Sequence, residues 1–441
     1  MMIATLFILL FLFLFMGVPV SISLGLSVLT SMVFFADFPL VMMGQKIAAN
    51  IAHFPLMAIP FFIIASAIML HGGVTKRLIN LATTLTGHMP GGLAIASILS
   101  CMFFATISGS SAATVVAIGS IMIPAMIQAN YDKKFAVGVV ATGGSIGILI
   151  PPSIAMIIYG FVTDTSVPKL FMAGILPGLF LGFCLMTVAF IIAKRRGFPL
   201  SKRATTKEKL ISVKESFWAI LIPVVILGGI YGLPRSFSIG SWEIQGGAIF
   251  TPTEAAIVSI FMALFISIYI YKDMKWSELP KILIDVGGSI GMLLFIVINA
   301  VMFGFMLGNE GVPHSIAAWI VSMNMSPLVF LLIVNIILFF AGDFMDATPI
   351  ILVFIPILFP AAMLLGIDPI HFGIIVVVNM ELGAITPPIG MNLFMASTIS
   401  KMPLYEVMLA ALPWTLVIAF VLMVITYVPW ISTVLPNLYF G

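Results

Sequence analysis

Apolar runs of about twenty residues, each long enough for a helix to span hydrocarbon, follow one another along almost the whole chain. The pattern predicts ten crossings, over 2–18, 19–36, 55–72, 135–163, 169–193, 215–233, 253–271, 289–308, 371–399 and 408–430. Two further stretches, 90–107 with 110–128 and 326–341 with 345–364, read as pairs of half-spans joined at a polar tip. Four amphipathic segments, 41–52, 75–87, 274–288 and 312–324, read as helices lying along the membrane interface. In 75–87, for instance, Lys76, Arg77 and Asn80 alternate with Leu78, Ile79 and Leu81 at helical spacing. Ordinary connecting helices would show the same spacing. The runs are too long and too uniformly apolar for alternating barrel strands. The first run, Met1 to Met16, has no basic flank and no small-residue cleavage site after it, so it reads as a retained span.

The polar interruptions come twice. The first set is Ser108-Gly109-Ser110-Ser111-Ala112-Ala113-Thr114, then Gly147-Ile148-Leu149-Ile150-Pro151-Pro152. The second is Gly342-Asp343-Phe344-Met345-Asp346-Ala347-Thr348, then Gly383-Ala384-Ile385-Thr386-Pro387-Pro388. Polar, glycine-rich, proline-broken sequence is costly in hydrocarbon, and its repetition marks a secondary transporter built from repeats. The expected fold is an all-α polytopic membrane protein with two re-entrant helical hairpins and two broken transmembrane helices.

Composition agrees. The 441 residues are 62% hydrophobic and 8% charged, with a mean hydropathy of +1.25. A soluble fold could not bury that much apolar surface. The two cysteines, Cys101 and Cys184, sit inside apolar runs and suggest neither a disulfide framework nor a metal site. The five histidines show no metal-ligand spacing.

Charge gives the orientation. Eight of the nineteen basic residues lie in 194–214: Lys194, Arg195, Arg196, Lys202, Arg203, Lys207, Lys209 and Lys214. Positive-inside places this loop in the cytoplasm and both termini outside. Lys76, Arg77, Lys133, Lys134, Lys272, Lys275, Lys281 and Lys401 then also fall on the cytoplasmic side. Equivalent spans of the two halves are an odd number of crossings apart, so the repeats are inverted. A re-entrant hairpin and a pair of full spans give the same count. The chain divides into N-terminal scaffold helices (1–40), a first repeat (41–200), a linking region (201–252) and a second repeat (253–435).

Each hairpin tip is followed at once by a helix, starting near Ala112 and Ala347. Its unpaired N–H groups suit an anion, and the carbonyls ending the preceding half-helix suit a small cation. Pro151 and Pro387 lack N–H groups, so carbonyls near Gly147 and Gly383 lose their partners. With Ser108, Gly109, Ser110, Ser145 and Thr386 these carbonyls form an oxygen set suited to Na+. Proline could equally just kink a span, with Ser or Thr bonding back locally. Asp343 and Asp346 belong to a cation site or to an external loop. Glu381 is an intramembrane carboxylate and a functional candidate by default, whereas Glu254 reads as the cap of the helix beginning near Thr253. Asn379 and Asn392 are each either a substrate contact or an interhelical hydrogen bond. No Arg or Lys lies in either motif region. An anionic substrate would be held by Ser110, Ser111, Thr114, Pro152, Thr348 and Asn392, with bound cations supplying positive charge.

At these residues the chain resembles the large membrane subunit of TRAP transporters, the tripartite ATP-independent periplasmic family. The resemblance rests on the two motif pairs, on the run Gly143 to Pro152, on Ala248-Ile249-Phe250-Thr251-Pro252-Thr253-Glu254-Ala255-Ala256, and on Glu381 to Asn392. It covers essentially the whole chain. It implies an elevator carrier in the bacterial inner membrane, in which a domain holding both hairpins slides against a scaffold. It also implies Na+-driven uptake of a carboxylate such as a C4-dicarboxylate or a sialic acid, through at least two Na+ sites. A small four-helix membrane subunit and a periplasmic substrate-binding protein are the implied partners; no nucleic acid is. Asp343 and Asp346 stand where the first tip has serines, so the two cation sites would differ. External loops near Arg235, Glu310 and Asp368 are candidate docking points for the soluble partner.

The alternatives are a stand-alone dicarboxylate carrier, a channel, a membrane anchor and a membrane enzyme. An anchor has no need of four costly polar motifs, and no nucleophile–base set or metal motif supports an enzyme.

Overall fold

The computed structural model describes residues 2–35, 40–51, 53–232, 237–239, 242–244, 247–388 and 390–440. Arg235 lies outside them. The described chain is almost wholly helical. It opens with α1 (Met2–Phe15), α2 (Val20–Phe35), α3 (Leu40–Ile51), α4 (Phe54–His71) and α5 (Val74–Thr86). A helical hairpin follows, α6 (Gly92–Ser108) and α7 (Ser111–Gln128). Then comes a broken helix: α8 (Lys133–Gly143), a 3-10 turn over Gly144–Ile148, the Pro151-Pro152 break, and α9 (Ile154–Thr163). The long helices α10 (Val167–Arg196) and α11 (Thr206–Tyr231) lead to two short antiparallel strands, β1 (Phe237–Ile239) and β2 (Trp242–Ile244).

The second half repeats the order. After α12 (Pro252–Phe265), prolonged by a π turn over Ile266–Ile270, come α13 (Leu279–Asn309) and α14 (Val312–Ser322). The second hairpin is α15 (Pro327–Gly342) with α16 (Ala347–Leu364). The second broken helix is α17 (Pro369–Ala384) with α18 (Met391–Ser400), and α19 (Leu404–Tyr427) and α20 (Trp430–Phe440) end the chain. Both Pro-Pro peptide bonds are cis. The fold class is the one expected. Among the described residues, eight helices are long and apolar enough to cross a membrane, including the second limbs of both hairpins, α7 and α16.

Three features depart from the sequence reading. Segments 274–288 and 289–308 were expected as an interfacial helix and a crossing, but most of this stretch is the single helix α13. Its Gly287-Gly288 weakens a helix by about 1 kcal/mol per glycine without removing a hydrogen bond. Proline does remove one, and Pro280 sits harmlessly in the first turn. In the first half Pro55 opens α4 and separates it from α3. The second departure is α20, too short for the span pattern to register; it packs on α10 and α17. Its Tyr439 hydroxyl donates to the Tyr231 carbonyl at the end of α11, at 2.6 Å. The third is the pair of short antiparallel strands, β1 and β2.

Large apolar side chains point outward, with Phe15 80%, Ile284 76% and Phe34 73% exposed. Such surfaces belong in lipid. Helices α6–α10 pack with α15–α19, and α1, α2, α4 and α11–α13 pack with one another; the two groups also touch directly, chiefly through α13 on α16 and α4 on α6 and α9. Two short helices bridge these groups: α5 touches both α6 and α11, and α14 touches both α16 and α13. Three ion pairs tie residues that charge placed on one side of the membrane to acidic partners. These are Arg196–Asp132 at 2.8 Å, Lys134–Glu406 at 3.4 Å, and Arg77–Asp273. The Arg77 guanidinium also lies 3.7 Å above the Tyr271 ring. Glu254 is a cap, as expected: its carboxylate accepts the Thr251 N–H at 2.7 Å while the Thr251 hydroxyl accepts the Glu254 N–H.

Candidate functional site

At the first tip, α6 ends in Gly109, whose φ of +59° favours glycine. A Cβ there would also lie 2.8 Å from the Pro152 carbonyl. The Gly109 carbonyl accepts the Ile154 N–H at 3.2 Å, which ties the tip to the chain beyond the Pro-Pro break. Ser110 caps α7, accepting the Ala113 N–H at 3.4 Å. Behind it, Thr114 donates to the Ser110 carbonyl at 2.8 Å, and the Ser108 and Thr114 hydroxyls are 2.9 Å apart.

The 3-10 turn presses against this tip. A Cβ on Gly147 would come within 2.7 Å of both the Ser110 carbonyl oxygen and Thr114 Oγ1. The N–H groups of Leu149 and Ile150 both go to the Ile146 carbonyl, and Pro151 and Pro152 have none. The Gly147 carbonyl is therefore denied the amides that would follow it in a helix, as the sequence suggested.

The second tip is built by backbone contact. A Cβ on Gly383 would lie 2.5 Å from Gly342 Cα, so these two glycines bring hairpin and broken helix together. Asp343 is 5% exposed, and its Oδ1 has no hydrogen-bond partner among the described residues. Asp346 begins α16 without making a side-chain capping bond. One expectation fails here. The Gly383 carbonyl is not freed by Pro387, because it accepts the Thr386 N–H at 3.0 Å as the chain tightens into a turn. The Thr386 hydroxyl bonds back to the Leu382 carbonyl at 2.6 Å, the local alternative rather than an open ligand.

The two tips meet at one cavity of about 530 Å³. Of the residues singled out from sequence, Gly109, Ser110, Ser111, Asp343, Asp346, Thr348, Glu381 and Asn392 line it. Ser108, Thr114, Ser145, Gly147, Pro152, Gly383 and Thr386 stand outside that lining. Ser289 and Met292 of α13 form part of the opposite wall, which the sequence did not reveal. Among the described lining residues there are three carboxylates, Asp343, Asp346 and Glu381, and no lysine, arginine or histidine.

A polar chain across the halves was also missed. The Ser111 hydroxyl donates to Asn392 Oδ1 at 2.8 Å, and Asn392 Nδ2 donates to Glu381 Oε2 at 3.5 Å. Glu381 was visible as a buried carboxylate, but a contact between residues 111 and 392 has no local signature. The structure separates the two asparagines. Asn392 faces the cavity, whereas Asn379 Nδ2 donates to the Asn335 carbonyl and to its Oδ1, and Asn335 Nδ2 donates to Thr426 Oγ1, between helices.

The family model described as "Tripartite ATP-independent periplasmic transporter, DctM component" matches residues 7–431. The chain belongs to this family. It is therefore a transporter permease, the large membrane subunit of a TRAP system, and not an enzyme. The C4-dicarboxylate TRAP transporter large permease protein DctM of Pseudomonas aeruginosa is 47% identical over 413 residues, covering 94% of this chain and 93% of that one. The sialic acid TRAP transporter large permease protein SiaM of Vibrio cholerae is 34% identical over 398 residues, covering 90% of each. The fold is also similar to that of the Alcanivorax borkumensis YdaH transporter, whose crystal structure is described as having an unusual topology. That likeness has a TM-score of 0.60 over 90% of each chain at 13% identity, and so speaks for the fold alone.

Proposed function

We propose that this DctM-family subunit takes up a C4-dicarboxylate together with Na+, by an elevator movement. Substrate would come from a periplasmic binding protein, with a small four-helix subunit as the second membrane partner. The observation that carries the reading is the cavity wall: both hairpin tips and, among its described residues, three carboxylates and no basic side chain. Hydroxyls and the first amides of α7 and α16 offer an anion hydrogen bonds. They offer no countercharge, so co-transported Na+ must supply it. Ser108, Gly109, Ser110 and Gly147 at the first tip, and Asp343 with Asp346 at the second, are the oxygens for this cargo. A C4-dicarboxylate is favoured over a sialic acid by the higher identity to the P. aeruginosa relative. The elevator reading is supported by α5 and α14, each spanning from the body with the hairpins to the other. The ion pairs support a cytoplasmic basic face, and hence periplasmic termini in the inner membrane.

The test is uptake by vesicles holding the complete three-component system. Accumulation under an inward Na+ gradient is expected. Equal accumulation under a K+ gradient would refute Na+ coupling, and uptake by this chain alone would mark a carrier that needs no binding protein.

A further inference from the structure

Glu381 has no charge partner in the site as described. It is 3% exposed, on α17, at the cavity wall. A carboxylate at membrane depth is costly unless a cation or strong donors meet it. Its neighbours bring no positive charge: the Asn392 amide at 3.5 Å, the hydroxyls of Ser111 and Ser145, and the Asp346 carboxylate, which repels it. The Ser111 hydroxyl is shared between Asn392 Oδ1, to which it donates at 2.8 Å, and Glu381. Ser145 is fully buried, and its Oγ completes no hydrogen bond among the described residues. Glu381 thus meets one amide, two hydroxyls and a repelling carboxylate, with no positive charge to balance it. A small cation relieves this directly, because hard cations favour oxygen donors. Asp346, the other carboxylate acting on it, belongs to the second tip, so Glu381 itself balances a single positive charge. A divalent ion would leave charge uncompensated and takes more oxygen ligands.

We propose that Glu381, Ser111 and Ser145 form a further Na+ site, oriented by Asn392 and set between the two halves. This rests on the Na+-coupled reading above, and it assigns Ser145 to a site other than the first tip. Ser111 and Ser145 belong to the first repeat, Glu381 and Asn392 to the second. Binding there would join the halves while the cavity is loaded. With a Na+ at each tip neutralising a dicarboxylate, a third ion makes uptake move net positive charge inward.

The experiment uses the complete system in vesicles, with Na+ titrations of uptake, Na+-to-substrate flux ratios, and Na+-dependent melting of the purified complex. The variants are Glu381→Gln, Ser145→Ala and Asp343→Ala. Glu381→Gln and Ser145→Ala should each need several-fold more Na+ for half-maximal uptake and stabilisation, with a lower Hill coefficient and fewer Na+ per substrate. Unchanged titrations and flux ratio in these two, alongside an altered Asp343→Ala, would overturn this site and leave Na+ coupling standing. A wild-type complex that neither needs Na+ nor is stabilised by it would overturn both. If Glu381→Gln does not fold, Ser145→Ala decides the matter alone, since it removes one buried oxygen and little volume.

Discussion

Two pairs of glycines, chemically identical, have opposite expected sensitivities. Gly342 and Gly383 touch through their backbones at the second tip, and a methyl group on Gly383 has nowhere to go. Gly383→Ala should cost about 1–3 kcal/mol by overpacking, lower the melting temperature and abolish uptake. Gly287 and Gly288 meet nothing within 4 Å. Gly287→Ala should leave the complex unchanged or more stable by up to about 1 kcal/mol, through helix propensity alone. Glu254 makes a second contrast, with Glu381. It completes a capping box, so Thr251→Ala should cost about 0.5–2 kcal/mol in thermal unfolding. Its Na+ titration should match that of wild type. A shifted titration would move Glu254 from structure to transport.

At the scale of elements, the sequence was most legible where local chemistry decides. The helix after each tip begins at Ser111 and Ala347, close to expectation, because a capping residue followed by an apolar run is a short-range signal. The unbroken α13 was illegible in the hydropathy pattern, since amphipathic and apolar stretches can be consecutive turns of one helix. The Gly383 carbonyl was misread because proline's missing donor was taken to be irreplaceable, and a tighter turn replaced it. The element scale also offers a test of the elevator. Gly304 of α13 approaches Pro356 of α16, across the two bodies. A cysteine pair at these positions should block uptake on oxidation and release it on reduction. Gly25 of α2 and Asn299 of α13 also meet, but within one body, so cysteines there should leave uptake intact when oxidised. Equal sensitivity of both pairs would refute the sliding of one body past the other.

For the whole molecule, pairwise assembly was beyond the sequence. The repeat predicts two tips, but only the folded chain brings Ser111 to Asn392 and adds a wall from α13. If Na+ is the co-transported ion, as proposed, the cavity's carboxylates would set an order of events. On the Na+-coupled reading proposed above, a dicarboxylate that arrived first would meet three acidic side chains and be repelled; one that followed the cations would meet a neutralised chamber with hydrogen-bond donors ready. Repulsion in the unloaded chamber would thus be a safeguard against slippage. On that reading, substrate would not ride down its own gradient unaccompanied, and the carrier would stay tightly coupled because its resting site is hostile to the very anion it moves.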